Sequence, residues 1–243
     1  MKEPPLLWIR FDLMHSFSVR HGLYPMFLSS MLCVGLLAGR FYISRVWTYY
    51  FLLLNLFLAW LPYIGSVFAY ALHLAEPKRW LRIIPVVLAS ILFFPNAPYI
   101  VTDFLHLKAR SPVPFWYDMG MLAAFSWAGI LLGVYALRLM HCIIEDWMGK
   151  WLGWFFVVCV VNLSGFGIYM GRFLRWNSWD LIMNPMEILE DIAVRVRYPM
   201  DNLQTYGVAL LFAALLLSCY IALAGFPALN HNSYVAPGRK KVA

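Results

Sequence analysis

Nine polar side chains stand out in a sequence that is otherwise strongly apolar. They are Asn96, Tyr99, Asp103, His106, Asp118, Arg172, Arg175, Asn177 and Asp180. Asp103 and His106, three residues apart, could act as a general acid–base pair on a bound substrate. Arg172 and Arg175 could bind a phosphate or carboxylate group, because arginine forms paired, charge-assisted hydrogen bonds with such groups. These residue types predict a site that binds an anionic group, with or without a reaction on it.

In the catalytic interpretation, Asp103 and His106 transfer protons, and Asp118 orients the substrate or binds a metal. The ligand-binding residues are then Asn96, Tyr99, Arg172, Arg175, Asn177 and Asp180. However, the sequence contains no G-x-S-x-G, H-E-x-x-H or glycine-rich phosphate-loop motif. Its four cysteines are scattered and form no Cys/His cluster, so we predict neither a zinc site nor a disulfide framework. The cofactor, if there is one, is unknown.

The same residues also have a purely structural interpretation. Asp103 and Asp118 could form ion pairs with Arg172 and Arg175 that hold three helices in register, since polar groups near a bilayer usually pair with one another. Against this, carboxylates, guanidinium groups, an imidazole, amides and a phenol are more chemical types than a helix staple requires. The sequence leaves both interpretations open.

The composition places these side chains in a membrane protein. Of the 243 residues, 63% are hydrophobic and 13% are charged, whereas soluble proteins average about 25% charged residues. Several apolar runs reach the roughly 18 residues that a transmembrane helix needs. The net charge of +7 is then explained by basic loops and by attraction to anionic lipids. We therefore predict membrane lipids, and no nucleic acid, as partners.

We predict an all-α transmembrane bundle of about six spans within residues 23–226. The spans cover residues 24–43, 48–74, 81–102, 116–139, 150–170 and 205–226. Residues 1–22 mix charges with apolar side chains and lack the apolar core of a signal peptide, so we expect them to lie on the membrane surface. Residues 227–243 form a polar, basic tail that we expect to be disordered.

Two prolines break the third span. Pro95 and Pro98 lack a backbone N–H, so a helix that enters from Ile83 must kink or end near Phe94. Irregular backbone at membrane depth is tolerated only where protein or a water-filled cavity satisfies its polar groups. We therefore expect the break to line a polar site, with carbonyl groups freed near Ile91 and Phe94 as additional acceptors.

One further helix is predicted between residues 171 and 204. An Asn-Pro-Met-Glu run at residues 184–187 has the pattern of a helix cap, a first-turn proline and a capping box. Leu189, Ile192 and Val196 then fall on one face of the helix. Such an amphipathic helix should lie at the membrane interface with its apolar side toward the lipid.

Six spans bring the nine candidate residues to one membrane face, where the third and fifth spans end and the fourth begins. The polar residues of the opposite face have the pattern of ordinary solvated loops. They include His73, Glu76, His141, Glu145 and Asp146. Lys and Arg residues number 11 on the side of the termini and 8 on the other side. The positive-inside rule therefore favours cytoplasmic termini.

Three segments resemble those of a known family. They are Pro-Asn-Ala-Pro-Tyr at residues 95–99, which is followed by Thr102, Asp103 and His106, Trp-Tyr-Asp at residues 116–118, and Gly-Ile-Tyr-Met-Gly-Arg-Phe-Leu-Arg-Trp-Asn-Ser-Trp-Asp at residues 167–180. They are similar to the signature segments of the bacterial membrane family catalogued as domain of unknown function 1361, over residues 55–195. The resemblance implies a multi-pass protein of the bacterial cytoplasmic membrane and supplies no activity.

The sequence supports three hypotheses about function. The first is an accessory or ligand-binding membrane protein with a polar site at one membrane face, which contacts lipids and other membrane subunits. The alternative is a membrane enzyme that acts on a lipid or a lipid-linked anionic head group. A transporter ranks third, because ion-coupled transporters usually place ionisable groups in the middle of their spans, and the predicted spans have no Asp, Glu, Lys or Arg there.

Overall fold

The computed structural model of the protein describes residues 22–176 and 180–224. The predicted surface segment at residues 1–22, except for Gly22, and the predicted tail lie outside this part of the chain, and so does Asn177. The α-helices are α1 Leu23–Ser44, α2 Phe51–Ala75, α3 Trp80–Phe93, α4 Asn96–Tyr99, α5 Phe115–Met148, α6 Lys150–Phe173, α7 Asp180–Met183, α8 Pro185–Arg197 and α9 Leu203–Ala224. Two 3₁₀-helices, Ile100–His106 and Met200–Asn202, complete the described elements.

The predicted all-α bundle of six spans is confirmed. Six helical segments are long and apolar enough to cross a membrane. They are Leu23–Ser44, Phe51–Ala75, Trp80–His106, Phe115–Met148, Lys150–Phe173 and Met200–Leu223. Within the described residues there is no β-strand, and the one isolated β-bridge joins Arg110 and Val113. The chain is therefore a multi-pass membrane protein by architecture.

Helix α5 is the centre of the bundle. It contacts α1, α2, α4, α6 and α9. In its most apolar 18-residue window 61% of the residues are buried, against 17–39% in the other five spans. Leu122, Phe125 and Leu132 along this helix are completely buried. The remaining spans therefore assemble around α5 and keep much of their surface for lipid.

The fourth span continues nine residues beyond its predicted end at residue 139. The prediction of a solvated loop there is wrong. His141 and Arg138 are buried inside the bundle, with 1% and 8% of their surfaces exposed. The His141 Nδ1 atom lies 2.6 Å from the Tyr220 hydroxyl group of α9, and Arg138 donates a hydrogen bond to the same oxygen. His73 is also buried and contacts Asp146 at 3.1 Å. These polar side chains find partners on other helices and so do not end α5.

The break in the third span is held between two glycine-bearing helix faces. On α5, a Cβ atom at Gly129 would meet the carbonyl oxygen of Ala97. On α6, a Cβ atom at Gly167 would lie 2.8 Å from Pro95, and one at Gly171 would lie 3.1 Å from Tyr99. Small residues let helix backbones approach closely in lipid. The glycines of α5 and α6 therefore make room for the irregular backbone inside the protein.

The predicted helix after the fifth span is present as α8. Pro185 occupies its first turn, but the predicted capping box does not form, because Asn184 makes no side-chain hydrogen bond to the helix. Ile192 lies half-buried toward the bundle, whereas Leu189 and Val196 are 56% and 67% exposed. The predicted apolar face is thus divided between the bundle and the outside of the protein.

Substitution of Gly129 tests the close contact at the break. In the Gly129→Ala variant the added methyl group must displace the Ala97 backbone, and we expect a loss of about 1–3 kcal/mol in the free energy of unfolding. Thermal unfolding in detergent measures the change. Gly120→Ala on the same helix is the matched control, because a Cβ atom there meets nothing within 4 Å. Equal melting temperatures for the two variants would contradict the packing described here.

Candidate functional site

Arg172 is the hub of the polar cluster at the membrane face where α6 ends. Its Nε atom donates to the Thr102 hydroxyl group at 2.7 Å, and its other nitrogens contact Asp103 and His106. The guanidinium group also lies over the Tyr99 ring, with 4.3 Å between its central carbon and the ring centroid. One side chain of α6 thereby joins four residues that follow the break in the third span.

The 3₁₀-helix after the break explains why these partners share one side. Side chains three residues apart eclipse each other in a 3₁₀-helix, so Asp103 and His106 lie one above the other. Asp103 is 1% exposed, and both of its oxygens are used. Oδ1 forms the ion pair with Arg172, and Oδ2 accepts a hydrogen bond from Asn55 Nδ2 of α2 at 2.7 Å. The buried carboxylate is therefore fully paired.

His106 contacts the same arginine. Its Nε2 atom lies 2.9 Å from a terminal nitrogen of Arg172. A guanidinium group only donates hydrogen bonds, so this contact places a donor of Arg172 against the imidazole ring. Asp103 and His106 were predicted to form an acid–base pair. The structure brings them together through Arg172, which occupies one atom of each.

Asp118 belongs to a separate ion pair, which corrects the predicted pairing with Arg172 or Arg175. Its carboxylate oxygens lie 2.7 and 3.2 Å from Arg40 Nε and NH2. Arg40 and Asp118 are 2% and 1% exposed. This bidentate pair joins α1 to the start of α5. Within the described residues it has no hydrogen bond or ion pair with the Arg172 hub.

Tyr49 connects the two ion pairs. Its ring lies against the guanidinium groups of Arg40 and Arg110, at 4.6 and 5.1 Å from the ring centroid. Its hydroxyl group donates a hydrogen bond to the His106 carbonyl oxygen at 3.3 Å. Burial raises the pKa of Tyr49 above its usual value, so the hydroxyl group stays a donor at neutral pH. The face is therefore a continuous polar layer that spans three helices.

The predicted ligand residues Asn96, Arg175 and Asp180 are not among the described hydrogen-bond partners of Arg172. Arg175 is exposed, has a positive φ of 64°, and makes no ion pair or hydrogen bond with another described residue. Asp180 begins the short helix α7. Asn96 donates a hydrogen bond to the Phe93 carbonyl oxygen at 2.9 Å. Backbone N–H groups also donate to the carbonyl oxygens of Ile91 and Phe94. The prediction that these carbonyl groups are free to bind a ligand is therefore wrong.

A cavity of about 310 Å³ adjoins the hub between α2, α3, α4, α6 and α8. The residues that line it are Leu54, Asn55, Leu58, Ile91, Leu92, Pro95, Asn96, Tyr99, Leu163, Phe166, Gly167, Met170, Gly171, Trp176, Ile188 and Ile192. Trp176 donates a hydrogen bond to the Asp191 carboxylate of α8 at 2.7 Å and so holds α8 over one side of the cavity. Within α8, Arg195 pairs with the same carboxylate at 3.1 Å. The cavity lies within the usual size range of small-molecule sites, at its lower end.

Four side chains of this face were missed as site residues. They are Arg40, Tyr49, Asn55 and Thr102. Asn55 carried a usable signal, because an amide within an apolar span normally faces a polar partner. Arg40 was counted only as a loop cation, although it lies inside an apolar run. Among the described residues, no group of three or more His, Cys, Asp and Glu side chains is placed to hold a metal ion.

Comparison with known proteins gives one match. The model of a family described as "Protein of unknown function (DUF1361)" matches residues 54–219. This region runs from α2 to α9 and includes the Arg172 hub and the cavity. No curated protein and no solved structure matches the chain significantly.

A double-mutant cycle measures the coupling between Asp103 and Arg172. Each single variant, Asp103→Asn or Arg172→Gln, leaves one buried partner uncompensated, and we expect a loss of about 3–5 kcal/mol in the free energy of unfolding in detergent. The double variant should recover part of this loss, with a coupling of about 0.5–3 kcal/mol. Arg175→Gln and Asp180→Asn should leave stability unchanged.

The exposed pair Glu76 and Arg79 is the matched control for this cycle. Its side chains are 40% and 56% exposed and lie 3.2 Å apart. An exposed pair of this kind contributes about 1 kcal/mol or less, so the control cycle should show almost no coupling. Additive losses for Asp103 and Arg172 would mean that the two residues do not stabilise each other.

Proposed function

We propose that this chain, which belongs to the DUF1361 family of proteins of unknown function, binds one amphiphilic molecule from the surrounding bilayer. The observation that carries the proposal is the cavity of about 310 Å³ beside the Arg172 hub. Its lining is mostly apolar, with a few polar groups, as in most sites for small organic ligands. The protein is then a ligand-binding component of a membrane.

The position of the cavity suits a lipid-like ligand. Its polar groups, Asn55, Asn96 and Tyr99, lie where α2 begins and the third span breaks, close to one membrane face. From Gly171 to Leu163 the cavity follows α6 for about 12 Å toward the middle of the membrane, at ~1.5 Å per residue. An amphiphile would place its polar end at the face and its aliphatic chain along α6.

The edge of the cavity is open to the membrane. Leu54 and Leu163 both line it, and 53% and 55% of their surfaces are exposed. In a bilayer these exposed parts face lipid, because both residues lie inside spans. A molecule already dissolved in the bilayer can therefore enter sideways without crossing water.

The Asp103–Arg172 hub lies behind the polar end of this site, where Asn55 and Tyr99 line the cavity. Asn55 is held by Asp103 at 2.7 Å, and the Tyr99 ring lies against Arg172 at 4.3 Å. A ligand thus meets side chains whose positions are already determined, which lowers the entropy cost of binding. In this proposal the charged pair positions the binding groups and does not itself contact the ligand.

The alternative functions have less support. A membrane enzyme would need Asp103 or His106 to exchange protons, and their contacts with Arg172 occupy atoms that this exchange requires. A transporter would need ionisable groups along a path through the spans, and no charged residue lines the cavity among those described. An accessory subunit remains compatible with ligand binding, with other membrane proteins as partners.

A cavity-filling substitution tests the proposed site. Leu58 lines the cavity from α2. The Leu58→Trp variant should bind lipid roughly 5- to 150-fold more weakly and so retain less of it after mild detergent extraction, because overpacking by a large side chain costs ~1–3 kcal/mol. Native mass spectrometry of the purified protein measures the retained molecule.

The control for this experiment is Leu53→Trp on the same helix. Leu53 does not line the cavity and is 37% exposed, so the variant should retain as much lipid as the wild type. Equal retention by all three proteins, or no retained molecule at all, would count against the proposal. Co-purifying membrane subunits without a lipid would favour the accessory role instead.

We further propose that the protein lies in a bacterial cytoplasmic membrane with cytoplasmic termini. A six-span topology assigns eleven basic residues to the side of the termini: Lys2, Arg10, Arg20, Lys78, Arg79, Arg82, Arg138, Lys150, Arg239, Lys240 and Lys241. Eight lie on the other side: Arg40, Arg45, Lys108, Arg110, Arg172, Arg175, Arg195 and Arg197. An excess of Lys and Arg marks the cytoplasmic side of a multi-pass protein. The cavity would then face the outer side of this membrane.

Cysteine labelling tests this orientation. In a cysteine-free background, Ser111→Cys should react with a membrane-impermeant thiol reagent on intact cells, and Lys78→Cys should not. Both positions are exposed in loops on opposite faces of the bundle. Labelling of Lys78→Cys alone would invert the topology, and labelling of both would contradict six spans.

A further inference from the structure

The charges around the cavity determine which polar end it can accept. None of the described residues that line the cavity is charged. The nearest cation of the hub, Arg172, has three of its nitrogens in contact with Thr102, His106 and Asp103, and one face covered by the Tyr99 ring. The anion of the hub, Asp103, is 1% exposed. The described lining of the cavity and the hub beside it therefore offer no unpaired charge to a ligand.

Two uncharged groups at the polar end keep unused hydrogen-bonding capacity. Asn55 donates through Nδ2 to Asp103, so its side-chain oxygen points away from the carboxylate and makes no hydrogen bond with a described residue. The Tyr99 hydroxyl group also makes no hydrogen bond with a described residue, although the Tyr99 ring is held under Arg172. Both residues line the same mostly apolar cavity, so its wall carries one acceptor and one donor that no described residue uses.

We propose that the ligand of this site is an uncharged amphiphile whose polar end carries a hydroxyl group, such as a long-chain alcohol or an acylglycerol. This inference rests on the proposed binding function. A hydroxyl group can donate to the Asn55 oxygen and accept from the Tyr99 hydroxyl group. Both partners are thereby satisfied by a single ligand oxygen.

An anionic head group would fit the same place poorly. A phosphate or carboxylate has no proton to donate to the Asn55 oxygen, and two acceptors would then face each other. Its charge would also leave water without a counter-ion, which costs far more than burying a neutral polar group. From the sequence, Arg172 is predicted to bind an anionic group of a ligand. Its contacts with Thr102, Asp103 and His106 instead favour a neutral ligand.

Binding of two lipids that share one chain tests the inference. Monoolein and oleoyl lysophosphatidate share an oleoyl glycerol structure and differ in the phosphate group. We expect the full-length wild-type protein in detergent at pH 7.4 to bind monoolein at least about tenfold more tightly, because only the phosphate must be desolvated as an ion. Native mass spectrometry with titrated lipid gives both dissociation constants.

Tyr99→Phe removes the proposed donor and keeps the aromatic ring under Arg172. This variant should bind monoolein roughly fivefold more weakly, as expected for one hydrogen bond, and should bind lysophosphatidate as the wild type does. Tyr42→Phe is the control, because Tyr42 is 69% exposed on α1 and does not line the cavity. It should change neither dissociation constant.

The outcomes separate the inference from the function on which it rests. Equal or tighter binding of lysophosphatidate, weakened by Arg175→Gln, would overturn the neutral ligand and leave the cavity as a lipid site. A Tyr99→Phe variant that binds monoolein as the wild type does would also overturn it. Binding of neither lipid, together with equal lipid retention by the Leu58→Trp and wild-type proteins, would overturn the proposed function itself.

Discussion

The structure depends on one constraint, which is that backbone without regular helical hydrogen bonds must be satisfied away from lipid. Pro95 and Pro98 create such backbone inside the third span. The chain meets the constraint by burying the break between α5 and α6, where Gly129 and Gly167 leave room for it. The Asn96 side chain then donates a hydrogen bond to the carbonyl oxygen of Phe93. A short irregular segment thus becomes the element against which two spans pack.

The polar cluster follows from the same break. Because the chain continues as a 3₁₀-helix, Asp103 and His106 come to lie on one side, next to the end of α6. Arg172 can then bind both and still cover Tyr99. A regular α-helix would offset residues three apart by about 60° around its axis, whereas the 3₁₀-helix aligns them. The local backbone geometry therefore selects the partners of Arg172, and these partners fix the polar end of the cavity.

The sequence predicts the parts of this arrangement that depend on local chemistry. Six apolar runs define the spans, and the two prolines locate the break to within a residue or two. The partner of Asp118 could not be predicted in this way, since Arg40 lies 78 residues away and either arginine of the fifth span was an equally good candidate. The length of α5 was underestimated for a similar reason. Arg138 and His141 both contact the Tyr220 hydroxyl group, which belongs to the last span and is distant in the sequence.

The cavity could not be predicted from the sequence because it is a space between five elements. Of the residues that line it, only Asn96 and Tyr99 had been predicted as ligand-binding residues. Its chemistry follows from how the charges are used. The carboxylates of Asp103 and Asp118 each form an ion pair with an arginine from another helix, and both pairs are almost completely buried. A charge that holds helices together in a medium of low dielectric is not free for a ligand, since removing its partner leaves it uncompensated. The ion pairs therefore determine the positions of the helices, and the described residues that line the cavity beside them are uncharged.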